Sequence, residues 1–99
     1  MYEPEIREIE SLALKYGIMC DVKLGVVFLR TVCEEFYFTL NDSGSIRLMH
    51  RNTVNKSNKT LKFSHEYHHQ FTRKMTYEEL MKYIVNHTKS RYKVKTKMA

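Results

Sequence analysis

Glycine and proline are scarce in this 99-residue chain, which has three glycines (Gly17, Gly25, Gly44) and one proline, Pro4. A phosphate-cradling loop of the G-x-x-x-x-G-K-[ST] type needs clustered glycines, so a nucleotide site of that kind is excluded. Tryptophan is absent and cysteine occurs twice, as Cys20 and Cys33. Two thiols are too few for a disulfide scaffold, and both fall in apolar, strand-like sequence, where they read as small packing side chains rather than nucleophiles. The longest apolar stretches, such as residues 24–29, stop far short of the roughly 20 residues of a membrane-spanning helix, which predicts a protein without membrane segments.

Negative charge is also scarce over much of the chain. Residues 1–42 carry four Lys/Arg against eight Asp/Glu, whereas residues 43–99 carry thirteen against three, and all five histidines lie in this basic part. Net charge and its distribution act on choice of partner far more than on fold, so the imbalance points to an anionic partner. The acidic start, Tyr2-Glu3-Pro4-Glu5, is the opposite of a basic region leading into an apolar core, and the expectation is an intracellular, cytoplasmic protein.

What is present organises readily into elements. Tyr2, Ile6, Ile9, Ala13 and Tyr16 recur at spacings of three and four, predicting a helix over residues 4–16 that opens on Pro4 and ends at Gly17. Alternation then places Ile18, Cys20, Val22 and Leu24 on one face of a first strand, punctuated by Gly25. A second strand over 26–32 is apolar on both faces. A third over 35–40 turns Phe36, Phe38 and Leu40 inward. Asn41-Asp42-Ser43-Gly44 signals a hairpin into a fourth strand over 45–51, with Ile46, Leu48 and His50 inward and Arg47, Met49 and Arg51 outward. A fifth strand over 60–72 is expected to turn His65, Tyr67, His69 and Phe71 inward, opposite Lys62, His68 and Gln70. Thr76-Tyr77-Glu78-Glu79 is a capping box opening a helix over 77–89, with Tyr77, Leu80, Ile84 and His87 on one stripe. Residues 91–99 read as a basic, flexible tail beyond a single domain spanning 1–90. The fold class is therefore α+β: helix, about five antiparallel strands, helix, with both helices on one sheet face.

His65-Glu66-Tyr67-His68-His69 matches H-E-x-x-H, in which two histidines one helical turn apart bind zinc and the glutamate activates water. On a strand the same two histidines stand roughly 13 Å apart, too far for one ion with bonds near 2 Å. The surrounding alternation selects the strand, so no catalytic residue, resident metal or cofactor is assigned and no enzymatic activity is expected. A metal site between strands, from His50 with His65 or His69, is the lesser alternative. Glu34-Glu35 and Glu78-Glu79 are assigned to a turn and a helix cap.

The remaining candidate is a surface. Tyr37, Arg47, Arg51, Lys62 and His68 fall on the outward face, and Arg73 and Lys74 could extend it. Cations that neutralise phosphates beside a ring that stacks on unpaired bases predict phosphate-dominated nucleic-acid binding with weak sequence specificity. The alternative partner is a nucleic-acid-associated protein, engaged through the acidic residues Glu3, Glu5, Glu8 and Glu10 of the first helix. A homodimer through an exposed strand edge is a further expectation. The order helix, strands, helix is similar to double-stranded RNA-binding domains, although those have three strands and a Lys-rich start to the second helix where this chain has Thr76-Tyr77-Glu78-Glu79. In size the chain also resembles phage- or mobile-element-encoded inhibitors of the anti-CRISPR kind, and that resemblance implies a protein target.

Overall fold

The expected order of elements is present in a computed structural model of the chain, which describes residues 2–53 and 67–98, with side chains through Ser90. Helix α1 spans Glu3–Tyr16, followed by strands β1 (Met19–Lys23), β2 (Val26–Arg30), β3 (Glu34–Thr39), β4 (Ser45–Asn52) and β5 (His68–Lys74), and by helix α2 (Tyr77–Met98). The sheet is an antiparallel meander in the order β1-β2-β3-β4-β5. Both helices cover one face, where Ile9 and Ala13 of α1 and Leu80, Met81 and Ile84 of α2 join Val27, Leu29, Phe36, Phe38, Ile46, Leu48 and Phe71 in one core. No helix among the described residues is long and apolar enough to cross a membrane.

Local chemistry explains the boundaries. Helix α1 opens with Pro4 and with Glu3 and Glu5 at the positive end of its dipole. It closes on Gly17 at φ 71°, with Gly17 N–H donating to Leu14 O at 3.2 Å and Ile18 N–H to Ala13 O at 2.8 Å. That pair of bonds is a Schellman motif, and it brings Ile18 over Ala13 in the core. The capping box of α2 forms as expected: Thr76 N–H donates to Glu79 Oε1 at 2.9 Å, and Glu79 N–H to Thr76 Oγ1 at 3.1 Å. Glu78 accepts from Lys15 at 3.1 Å and from the Tyr16 hydroxyl at 3.0 Å, joining the end of α1 to the start of α2.

The second strand ends at Arg30 rather than 32 and the third begins at Glu34 rather than 35; three departures are larger. Helix α2 continues to Met98, past its expected end at 89 and through the segment read as a tail. No Gly or Pro interrupts 89–98, and Lys and Arg are good helix formers that favour the negative end of a helix dipole. The fifth strand begins at His68, and the expected residues 60–66 lie outside the described residues. Leu24, read as an inward strand residue, is fully exposed at 102% and sits at φ 52°. Lys23 pairs with Val26, so Leu24-Gly25 is a two-residue hairpin loop with both residues at positive φ, a geometry that prefers Asn-Gly. A leucine there is conformationally strained and buries nothing. Leu24→Asn is expected to raise stability by about 1 kcal/mol, hence the thermal midpoint by about 4–8 °C. A melting curve with an unchanged or lower midpoint would contradict this account of the turn.

Candidate functional site

Because cross-strand partners share a face, the register defines the side of the sheet that the helices leave open. Met19 pairs with Arg30, Asp21 with Phe28, Phe28 with Tyr37, Arg30 with Glu35, Glu35 with Arg51, Tyr37 with Met49, Arg47 with Thr72 and Ser45 with Lys74. Five cations, Lys23, Arg30, Arg47, Arg51 and Lys74, therefore share this face with two carboxylates, Asp21 and Glu35.

Glu35 is the electrostatic hinge of the surface. It accepts from Arg30 at 2.6 Å and from Arg51, while its side chain is only 10% exposed. Burial raises the Glu35 carboxyl, but the two guanidinium groups outweigh it and the net shift is downward. Lys23 lies 3.5 Å from Asp21 across exposed side chains, a contact worth little in water. Arg47 and Lys74 have no ion pair among the described residues.

An aromatic run crosses the same face. The Phe28 and Tyr37 rings lie 5.8 Å apart, Tyr37 and Tyr67 meet edge to face at 4.7 Å, and the Arg51 guanidinium covers Tyr67 at 4.6 Å. A depression of about 450 Å³ opens beside this run, lined among others by Met19, Phe28, Arg30, Arg51 and Tyr67.

Of the residues expected on this face, Tyr37, Arg47, Arg51 and Lys74 are brought together, and Lys62 lies outside the described residues. His68 and Arg73 are not on it. They pair with His50 and Ile46, whose side chains point to the helices, and Arg73 packs over the Phe71 ring at 4.4 Å. For Arg73 the cause is plain alternation, since it shares the parity of inward Phe71; for His68 it is a register shift at Leu48/Met49, where Gln70 is the extra residue between His69 and Phe71. One additional residue reverses the parity of the strand before it, which brings His69 to the open face opposite Met49. Tyr67, also expected inward, lies against Tyr37 instead. Sequence reasoning missed Phe28 and Tyr67 as members of the surface; alternation with Val27 and Leu29 was the available signal for Phe28.

The acidic residues of α1 form a separate surface. Glu3, Glu8 and Glu10 are exposed and Glu5 is half-buried.

The helix-covered face carries polar chemistry of its own at the β3–β4–α2 junction. Glu34, expected in a turn, is the first residue of β3 and has no exposure, His50 is 1% exposed, and the His87 side chain is 23% exposed. Glu34 Oε2 is 2.5 Å from His50 Nε2 and 2.7 Å from His87 Nδ1. The second contact is close, but His87 Nδ1 is buried and does not form a well-aligned hydrogen bond. Thr88 donates its hydroxyl to Glu34 Oε1 at 3.0 Å. Burial opposes ionisation of Glu34, yet the His50 and His87 rings and Thr88 prevail and hold its carboxyl down to about 2.

The cysteines behave as packing residues. Cys33 is buried and Cys20 half-buried, both unbridged, and burial pushes the Cys20 thiol up to about 11, far from the thiolate that nucleophilic chemistry needs. His69, the second histidine of the H-E-x-x-H pattern, is on a strand, while His65 and Glu66 lie outside the described residues. No protein-family model matches the chain, and neither a curated protein nor a solved structure shows a significant match to it.

Proposed function

We propose that this protein is a non-enzymatic module that holds single-stranded nucleic acid across its open sheet face. The observation carrying this reading is the Phe28–Tyr37–Tyr67 run set among Arg30, Arg47 and Arg51. Bases offer a π-face to such rings whatever their sequence, and guanidinium groups pair with phosphates, so both contacts are tolerant of sequence. The depression beside Phe28 and Tyr67 gives an unstacked base somewhere to lodge. Glu35 tempers the surface by occupying two of its arginines.

Fluorescence anisotropy with a short single strand, repeated across a salt series, tests the proposal. Tyr37→Ala is expected to cost about 1–3 kcal/mol of binding, the worth of one stacked base. Arg47→Ala combined with Lys74→Ala should flatten the dependence of log affinity on log salt by about 1.4, two phosphate contacts at about 0.7 each. Glu35→Gln should steepen it, because Arg30 and Arg51 then answer to phosphate alone. Absence of binding at low salt, or affinities indifferent to these substitutions, defeats the proposal.

A second reading rests on the exposed Glu3, Glu8 and Glu10 of α1, which have no hydrogen bond or ion pair among the described residues. They suit a cationic patch on a nucleic-acid-handling protein, the mode of a phage-type inhibitor in the cytoplasm. Capture of a protein after nuclease treatment, abolished by Glu8→Lys with Glu10→Lys and unaffected by Tyr37→Ala, would favour this reading over the first.

A further inference from the structure

On the side of the sheet opposite the open face, and independently of it, the geometry points to a binding site for a divalent transition-metal ion held by Glu34, His50 and His87. One ligand atom from each residue, a carboxylate oxygen and two imidazole nitrogens, falls within 4.8 Å of the other two. Two imidazoles and a carboxylate are a donor set suited to borderline ions such as Zn²⁺, and three protein donors leave a tetrahedral ion one open position.

Three features favour an ion over a simple buried ion pair. First, both rings converge on the same oxygen, Glu34 Oε2, His50 through a hydrogen bond and His87 Nδ1 through a close contact at 2.7 Å that lacks the geometry of one. A buried nitrogen whose one close partner is poorly aligned is costly, and a cation accepting its lone pair removes that cost.

Second, the atoms facing away from the convergence point are already tethered. His50 Nδ1 lies 3.1 Å from His68 Nε2, and His87 Nε2 lies 3.4 Å from the Gln70 side-chain amide, which a flip turns into a carbonyl acceptor. Thr88 holds the other Glu34 oxygen. Metal-binding imidazoles and carboxylates characteristically have such outer partners, which fix tautomer and orientation.

Third, the expansion required is small. Bonds of about 2.0–2.1 Å in a tetrahedron set donor atoms about 3.3 Å apart, so the contacts at 2.5 and 2.7 Å must open by less than an ångström and the two ring nitrogens, within 4.8 Å of each other, close by at most about 1.5 Å. His87, the partly exposed member on α2, can move as a whole, while the Glu34 and His50 side chains need only turn apart on adjacent strands.

The test uses the full chain stripped of metal by chelator, titrated with Zn²⁺ against a chromophoric competitor, and in parallel with Co²⁺, whose visible absorption reports its coordination. One Zn²⁺ per chain is expected. His87→Ala should weaken binding by at least about 100-fold, since loss of an outer partner alone already costs 10–100-fold. The Co²⁺ band should change with it while circular dichroism stays that of a folded protein. Because changes at Glu34 or His50 threaten the fold, His87→Gln serves as the second variant and should be similarly impaired. His69→Ala, on the open face, should leave affinity unchanged. Absence of stoichiometric Zn²⁺ binding overturns the inference, as does full affinity in folded His87→Ala and His87→Gln, or loss of affinity in His69→Ala instead.

Discussion

Glu34→Ala is expected to destabilise the protein by about 3 kcal/mol, the cost of losing a buried carboxylate's hydrogen bonds and leaving an imidazole unsatisfied. Small domains have only about 5–15 kcal/mol in total, so the variant should lose a large part of its stability. The loss arises from what remains: His50, 1% exposed, would face an apolar core with its Nε2 unpaired, and the Thr88 hydroxyl would be left with Thr31 Oγ1 as its acceptor. Glu34→Gln should cost less, because the amide oxygen can still accept from His50 while the amide N–H donates to the Thr88 hydroxyl. Urea unfolding midpoints for the three proteins check this order, and a Glu34→Ala midpoint equal to wild type would show that the cluster contributes nothing to folding. Acid provides an independent route to the same quantity. The folded-state carboxyl of Glu34 is held at about 2, below its ordinary 4.5, so between those values the unfolded chain binds the proton and the folded chain does not. The stabilisation is therefore complete above about pH 4.5 and drains away as pH falls toward about 2. The gap between wild type and Glu34→Gln should narrow over that interval; parallel stability curves would contradict the assigned charge state.

The elements legible in the sequence are those whose signals are local. Gly17, the Asn41–Gly44 turn and the Thr76–Glu79 box each act within a few residues, and in each case the structure contains the bonds the residue types imply, such as Ser43 N–H donating to Asn41 Oδ1 at 2.8 Å. What escaped depends on a partner strand or a distant element. Parity along β5 is set by a bulge against β4, and nothing within residues 67–74 marks Gln70 as the extra residue. Leu24 extends an apolar alternation perfectly in the sequence, and only the tight pairing of Lys23 with Val26 forces it into a turn. The buried cluster was half visible: His50 shares its face with Ile46 and Leu48, and His87 shares its stripe with Leu80 and Ile84. The parity of Phe36, Phe38 and Leu40 also extends back to Glu34, had the strand been begun one residue earlier. Assembling the cluster still required pairing β3 with β4, which brings His50 to a carboxylate 16 residues away, and docking α2 beside them, which brings Thr88 to the same carboxylate across 54 residues. For the same reason the open face was correct in Tyr37, Arg47, Arg51 and Lys74, which lie on β3, β4 and β5 beyond the bulge, and wrong at His68 before it.

Phe36→Ala carries the second large effect. Its ring is fully buried, pairs across the sheet with Leu29 and His50, and packs 4.9 Å from the His50 ring and 5.9 Å, edge on, from His87. Truncating a buried phenylalanine costs about 3–5 kcal/mol through lost burial and the cavity left behind. Phe38→Ala should cost a similar amount, since Phe38 is equally large and 2% exposed, but its nearest ring is Tyr77 at 6.1 Å, away from the histidines. The two differ in coupling. A cavity at Phe36 lets the His50 ring relax and admits water beside Glu34, weakening the very interactions that Glu34→Gln removes. A double-mutant cycle of Phe36→Ala with Glu34→Gln should therefore fall short of additivity by about 0.5–3 kcal/mol, whereas Phe38→Ala with Glu34→Gln should add within about 0.5 kcal/mol. Additivity in both cycles, read from urea midpoints, would mean that the aromatic core and the buried charge cluster are energetically separate. Coupling confined to Phe36 would establish that the sheet's packing sets the geometry in which Glu34, His50 and His87 meet.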